Sequence, residues 1–252
     1  MITIHQTPEH RNVMFHDLSE GSMVQANQHM IIHKGTAMLL DPGGHKIYMK
    51  LFAAATGLVA PSDFRHIFFS HQDPDIIAAA NGWLMVTDAT AYLSALWMRF
   101  IPHFGVDELV MNRITPIPDE GMTVDVGGAP MVLLPAHFLH SEGNFQVYDP
   151  EAKILYSGDL GTSLGAPYTS VSDFDAHIPY MDGFHRRYLP TKRAIARWVN
   201  TVAQLEIDIL APQHGAIFPN RDLVKRYIDW VSGIECYLDT DLASYPIPGQ
   251  GG

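Results

Sequence analysis

The chain has 252 residues, 47% of them hydrophobic, which suffices for one large domain with a buried core or for two small ones. Its formal net charge of −11 at pH 7 argues against a nucleic acid or an anionic membrane as a partner, because both attract basic surfaces. No stretch has the pattern of a membrane span or a secretory signal, and the single cysteine, Cys236, suits a reducing compartment, so we expect a cytoplasmic protein.

The first half of the chain begins with short apolar runs and then becomes partly helical. Two of these runs flank a turn at Lys34 and Gly35 and predict two strands, and a third run ends at Ser70. A mixed pattern of apolar residues then extends to about residue 104. The predicted elements are strands at 29–33, 37–41 and 64–69 and a helix at 46–58.

The second half predicts a series of short strands followed by helices. Turn residues separate the strands, and a long irregular stretch is the best candidate for a loop beside a site. Asn220 is predicted to be the N-cap of the closing helix. The predicted strands are 114–117, 122–126, 129–134, 144–149, 153–157 and 208–210, the loop is 161–178, and the helices are 191–205 and 221–234.

This order of elements predicts an α+β sandwich in which two mixed β-sheets lie between layers of helices. No shift in composition marks an internal boundary. We therefore expect a single domain over residues 1–245 and a flexible tail over residues 246–252.

Four strands that are distant in sequence each end in a histidine or an aspartate, and a turn follows each one. A metal ligand needs that position, because the strand holds the side chain while the loop exposes it. Imidazole and carboxylate are ligands for divalent transition ions. In an extended segment His71 and Asp73 point the same way and can share an ion, which leaves Asp75 for a neighbouring ion. The candidate ligands are His71, Asp73, Asp75, His140, Asp159 and His214.

The charge of this set indicates which metals it prefers. Three carboxylates with neutral imidazoles balance two divalent ions and one hydroxide, and so many carboxylates favour iron or manganese over zinc. Each segment alone also fits a turn or a packed core residue, and only their joint occurrence favours a metal site. His137 is an alternative to His140. The other histidines lack carboxylate neighbours at ligand spacing: His5, His10, His16, His29, His33, His45, His66, His103, His177 and His185.

At these residues the sequence resembles the metallo-β-lactamase superfamily, in which the ligand pattern runs HxHxDH, then H, D and H, on an αβ/βα fold. Asp73 stands where most members have the second histidine. This carboxylate, with the contexts HSEG, YSGDLG and APQHG, is similar to the flavodiiron branch, whose motif is HxExDH and whose metals are iron. The resemblance covers roughly residues 25–240 and implies the metallo-β-lactamase fold.

The resemblance also implies two iron ions joined by an oxo, hydroxo or peroxo bridge, with Asp159 as their common ligand. One ion takes His71, Asp73, His140 and Asp159, and the other takes Asp75, Asp159 and His214. The last histidine of the family motif is Ile76 here. The second ion then has three protein ligands, which makes it either more open to a gas or more weakly bound. His177 and His185 lie in the loop-to-helix region that approaches the site in the family. Together with Tyr180 and Tyr188, they are candidates to contact the ligands.

Full flavodiiron enzymes carry a flavodoxin-like domain after this one, whereas this chain has no phosphate-binding loop for a flavin, so we expect no flavin in it. The resemblance therefore extends to stand-alone oxygen-binding diiron proteins and implies a sensor or signalling component that binds dioxygen. Two alternatives stay open: a reductase of oxygen or nitric oxide with a separate redox partner, and a dizinc hydrolase. The expected partners are dioxygen or nitric oxide and a signalling or electron-transfer protein. Whether the chain forms a homodimer is left open by the sequence.

Overall fold

The computed structural model describes residues 1–16, 18–241, 244–245 and 247–248. Two β-sheets pack face to face in it, and neighbouring strands of the first sheet follow each other in chain order. They are antiparallel from the first strand to the fourth and parallel from the fourth to the seventh. These strands are Ile2–Gln6 (β1), His10–Phe15 (β2), Gln28–His33 (β3), Thr36–Leu40 (β4), Phe64–Phe68 (β5), Thr90–Ser94 (β6) and Ile114–Ile117 (β7).

The second sheet has five strands in the spatial order β12-β11-β10-β9-β8. All neighbours in it are antiparallel except the last two in sequence, which are parallel. Both sheets are therefore mixed. The strands are Met122–Val126 (β8), Ala129–Pro135 (β9), Phe145–Asp149 (β10), Ile154–Gly158 (β11) and Ile209–Pro212 (β12).

Helices cover the outer face of each sheet, the early ones on the first sheet and the late ones on the second. The α-helices are Tyr48–Thr56 (α1), Pro74–Ile77 (α2), Ala80–Val86 (α3), Glu108–Met111 (α4), Phe174–Tyr188 (α5), Lys192–Val202 (α6) and Arg221–Gly233 (α7). Among the described residues, 3-10 helices lie at Pro61–Asp63, Ala95–Phe104 and Tyr237–Asp239. Within the part of the chain that is described, no helix has both the length and the apolarity to cross a membrane.

Strand β4 shows how one stretch of sequence serves two apolar cores. Ala37 and Leu39 lie in the cluster under the early helices, whereas Met38 and Leu40 lie in the cluster between the sheets. Successive side chains of a strand point to opposite faces, so a strand covered on both faces is apolar at every position. The predicted sandwich of two mixed sheets between helices is confirmed.

Three elements depart from the sequence-based expectations. Strands β1 and β2 extend the first sheet where no strand was predicted, and α5 begins at Phe174, inside the segment 161–178 that was predicted to be irregular. Asp173 starts this helix, because its carboxylate accepts hydrogen bonds from the backbone N–H groups of Asp175 and Ala176. The predicted tail, 246–252, lies outside the described residues except for residues 247–248, and the single-domain boundary stays a prediction.

Candidate metal centre

The loops that leave β5, β9, β11 and β12 converge at one end of the sandwich. Parallel pairing of β11 with β12 puts the carboxyl ends of these two strands side by side, directly before Asp159 and His214. Across the interface, the backbone N–H of Phe145 donates to the carbonyl of Ser70, which places the start of β10 beside the segment after β5. His71 follows Ser70 at once, so three ligand-bearing segments meet at this edge.

The carboxylate of Asp159 lies at the middle of the group. Its Oδ2 is 2.8 Å from His140 Nε2 and 3.9 Å from His71 Nε2, whereas its Oδ1 is 3.5 Å from His214 Nε2. The two oxygens therefore face different histidines. A carboxylate in this position has the geometry to link two cations.

The two remaining aspartates lie on opposite sides of this carboxylate. Asp73 Oδ2 is 3.5 Å from His71 Nε2 and 3.6 Å from His140 Nε2, and these three side chains form a group that could hold one ion. Asp75 Oδ2 is 3.5 Å from His214 Nε2. The structure thus brings all six candidate ligands together. Their arrangement matches the division that the resemblance implies, four on one side and three on the other with Asp159 common to both.

Two buried atoms in the group favour a cation between the ligands. His71 Nε2 and Asp159 Oδ1 are buried, and neither finds a hydrogen-bond partner among the described residues. Leaving such a polar atom buried without a partner costs about 1–3 kcal/mol. The donor set and these two orphaned atoms fit a pair of divalent metal ions, which would satisfy both.

Two hydrogen bonds orient histidines of the group. The backbone carbonyl of Gln25 accepts from His214 Nδ1 at 2.6 Å, and Ser70 Oγ lies 3.0 Å from His71 Nδ1. Each contact engages Nδ1 and leaves Nε2 facing the centre, which is how a metal-bound imidazole is commonly fixed. Sequence reasoning missed Gln25 and Ser70. Ser70 could have been identified from the sequence, because it directly precedes a ligand. Gln25 could not, because 189 positions separate it from His214.

The electrostatics of the group favour positive charge between the ligands. Burial opposes protonation of His71, but the carboxylates of Asp159 and Asp73 outweigh it and raise its pKa to about 9. Burial opposes ionisation of Asp159 in the same way, yet the three nearby imidazoles hold the pKa of Asp159 well below its usual range. A buried carboxylate kept ionised among histidines is the electrostatic arrangement that a cation stabilises.

Ile76, which replaces the last histidine of the family motif, is fully buried in the apolar cluster between the first sheet and its helices. It offers no ligand. Among the described residues, two carboxylates therefore lie within 4 Å of the His214 imidazole, those of Asp159 and Asp75.

The structure distinguishes His140 from its alternative, His137. The Nε2 of His137 lies 2.9 Å from the carbonyl of Asp119, and its ring packs edge-on against Phe145. This histidine is thus occupied elsewhere, whereas His140 lies in the group.

Of the four residues suggested as neighbours of the site, Tyr188 touches a candidate ligand, with its ring centroid 5.5 Å from that of His140. The others make different contacts. His177 is 3.0 Å from the hydroxyl of Tyr168, and Tyr180 packs on both of those rings. His185 accepts from the backbone N–H of Gly161, two residues after a ligand.

Comparison with known proteins places this chain in a family. A model of the family described as ODP family beta lactamase matches residues 24–215. A solved structure of the peroxy diiron species of the chemotaxis sensor ODP is 36% identical, with a TM-score of 0.85 over 94% of this chain and 96% of that chain. The apo state of the chemotaxis sensor ODP from T. denticola is 35% identical, with a TM-score of 0.84 over the same shares of the two chains.

More distant proteins share the fold. A flavo di-iron protein mutant from Thermotoga maritima is 19% identical, with a TM-score of 0.74 over 89% of this chain and 58% of that chain. An uncharacterized protein of Methanocaldococcus jannaschii is 23% identical over 201 residues, which are 77% of this chain and 50% of that protein. The chain thus spans about half the length of this curated relative. With a family model that covers most of its length, the chain belongs to the ODP family of beta lactamases, and it shares its two-sheet fold with flavodiiron proteins.

Proposed function

We propose that this protein holds two iron ions at the carboxyl ends of its strands and binds dioxygen through them as a sensor or signalling component. The observation that carries the proposal is the position of Asp159, whose two oxygens face different histidines. The related chemotaxis sensor ODP, at 36% identity over nearly the whole chain, is a diiron protein observed as a peroxy species, and this supports the same chemistry here.

The distances between the side chains support two ligand sets. One iron takes His71, Asp73, His140 and Asp159, and the other takes Asp75, Asp159 and His214. When bound, a pair of ferrous ions supplies the electrons and the open coordination positions that dioxygen requires. Three carboxylates among six ligands favour iron over zinc, because carboxylate is the harder donor.

The surroundings of the ligands determine what reaches them. His71 and Asp159 are almost completely buried, whereas the side chains of Asp73 and Asp75 are each 36% exposed. A gas therefore approaches from the side of Asp73 and Asp75, which belong to the two different ligand sets. Burial keeps water away from the carboxylate of Asp159. The interactions of this carboxylate with the ions are stronger because water does not screen them.

The test is anaerobic loading with ferrous iron followed by mixing with dioxygen. We expect an absorbance change that requires both iron and oxygen, and we expect Asp159→Asn to abolish it because the shared ligand loses its charge. Asp229→Asn is the matched control, since Asp229 is exposed and pairs with Lys225 on α7.

The two alternatives predict different results. Continuous consumption of dioxygen or nitric oxide when a reductant and a redox protein are added, without a lasting absorbance change, would establish a reductase. Preferential loading with zinc, together with ester or amide hydrolysis that Asp159→Asn removes, would establish a hydrolase. Either result contradicts the proposal.

A further inference from the structure

A second cluster of histidines and carboxylates lies at the opposite end of the sandwich from the proposed iron centre. Strand β3 joins the two ends: His29 pairs with Leu40, beside the iron centre, whereas His33 pairs with Thr36 at the far end. At about 3.4 Å per residue, four residues of strand separate these ends by about 14 Å. The second cluster is therefore not part of the first.

Three segments distant in sequence build this cluster. His10 opens β2 and His33 closes β3, and the two face each other in the strand register. Glu151 comes from the turn between β10 and β11 in the other sheet. His10 and His33 have no carboxylate neighbours at ligand spacing in the sequence. In the structure they meet carboxylates that are more than 100 residues away.

The ligand atoms of the three side chains are spaced as around a metal ion. His10 Nδ1 is 3.0 Å from His33 Nδ1, and Glu151 Oε2 is 3.4 Å from His33 Nδ1 and 3.8 Å from His10 Nδ1. In a tetrahedral zinc site with bonds of about 2.0–2.1 Å, neighbouring ligand atoms are about 3.3 Å apart. An ion would fit among the three atoms with little movement of the chain.

The other nitrogen of His10 provides an independent indication. His10 Nε2 donates to the buried carboxylate of Asp149 at 2.7 Å, and the same oxygen also accepts from Asn12 Nδ2 at 2.7 Å. A histidine that donates one nitrogen to a carboxylate and turns the other towards a cation is the usual arrangement around a bound metal. This hydrogen bond leaves Nδ1 of His10 pointing at His33 and Glu151.

Without a cation, two imidazole nitrogens meet head-on at 3.0 Å and must share a proton. Burial opposes protonation of His10, but Asp149 and Glu151 outweigh it and raise the pKa of this histidine. The cluster is therefore held together either by a proton shared within an ion-pair network or by a metal ion that takes the place of this proton.

We propose that His10, His33 and Glu151 bind one zinc-like divalent ion, which ties the hairpin of β2 and β3 to the turn between β10 and β11. Two imidazoles and one carboxylate form a softer set than that of the iron centre, which favours zinc over iron. The side chain of Glu151 is 40% exposed, so the ion and a water ligand can reach the site from solvent. The ion joins the two sheets at the end of the sandwich opposite the iron centre.

The test is a zinc titration of the full chain, stripped of metal, in which His71→Ala and His214→Ala disable the proposed iron centre. In this background we expect one zinc ion per chain. Adding Glu151→Gln or His33→Gln should weaken its binding by more than the roughly 10- to 100-fold that loss of an outer partner costs. Glu9→Gln is the matched control, since Glu9 is an exposed carboxylate near the same hairpin and pairs with Lys34; it should leave zinc affinity unchanged.

Cobalt(II) in the same background gives a second measurement. We expect the intense visible absorption of four-coordinate cobalt in the chain that keeps the cluster, and its loss in Glu151→Gln, whose exposed side chain can change without unfolding the protein. Unchanged zinc affinity in both cluster variants, or a folded background chain that binds neither metal, overturns the proposal and leaves an ion-pair network. Because the iron centre is disabled throughout, its proposed function can fail without affecting this result.

Discussion

Ser70 and Gln25 belong to no ligand motif, yet they set the direction of two imidazoles. Ser70 Oγ lies beside His71 Nδ1, and the carbonyl of Gln25 accepts from His214 Nδ1. The contact from Gln25 is made by the backbone, so no substitution of that side chain removes it. Ser70 offers the cleaner test, because its hydroxyl can be deleted on its own.

We predict that Ser70→Ala raises the iron dissociation constant about 10- to 100-fold, which is the usual cost of losing an outer partner of a metal-bound histidine. The measurement is a competitive titration of ferrous iron against a chromophoric chelator under argon. Ser232→Ala is the matched control, since its hydroxyl bonds to the carbonyl of Ile228 on the exposed face of α7. Equal affinities in the two variants would show that the hydroxyl does not orient His71.

At the scale of secondary structure, helix caps carry local signals that the sequence makes visible. Asn220 was predicted as the N-cap of the closing helix, and its side chain accepts from the backbone N–H of Leu223 in the structure. Asparagine in this position satisfies one of the free N–H groups of the first turn.

Asn220→Ala should therefore lower the free energy of unfolding by about 1 kcal/mol. Asn200→Ala should instead raise the free energy of unfolding by some tenths of a kcal/mol. This exposed asparagine lies within α6, where alanine is the better helix former. Urea unfolding of both variants and the unmodified chain measures the difference. A loss of stability in Asn200→Ala as large as that in Asn220→Ala would count against the cap.

Elements without such signals were harder to predict. The inner face of β2 includes His10 and Asn12, which are buried because both bind Asp149 of the other sheet. Since these residues are polar, the sequence lacks the apolar pattern that would have predicted the strand. In α5, Pro179 lies within the helix and breaks its helical pattern in the sequence. By contrast, most of the apolar strands and the four strand ends with ligand residues were predictable, since local sequence alone determines them. Contacts between distant segments, such as Glu151 with His33, are settled only by the tertiary fold.

At the scale of the whole molecule, the sandwich holds neutral histidines in its interior. His29 lies between the sheets with its ring centroid 5.0 Å from that of Tyr156, and burial lowers its pKa to about 4, against a weak opposing effect of the Pro212 carbonyl. In the unfolded chain this imidazole takes up a proton below about pH 6.5. Unfolding then consumes a proton, so stability is lost as the pH falls from about 6.5 towards 4.

We predict that His29 makes the folded protein about 2 kcal/mol less stable at pH 5 than at pH 7. In His29→Phe this part of the pH dependence should disappear, whatever the variant costs at neutral pH. Denaturant unfolding of metal-free protein at the two pH values measures it, and His103→Phe, at an exposed position, is the control. An identical pH dependence in His29→Phe and the unmodified chain would show that His29 is not held neutral.

The pairing of the two irons through Asp159 is the central claim, and Mössbauer spectroscopy of anaerobically loaded protein tests it most directly. We predict two iron ions per chain in two distinct environments, one with four protein ligands and one with three. After oxidation they should form a single magnetically coupled pair, which Asp159→Asn abolishes. One iron per chain, two uncoupled irons, or a coupled pair that persists in Asp159→Asn would contradict this account of the site.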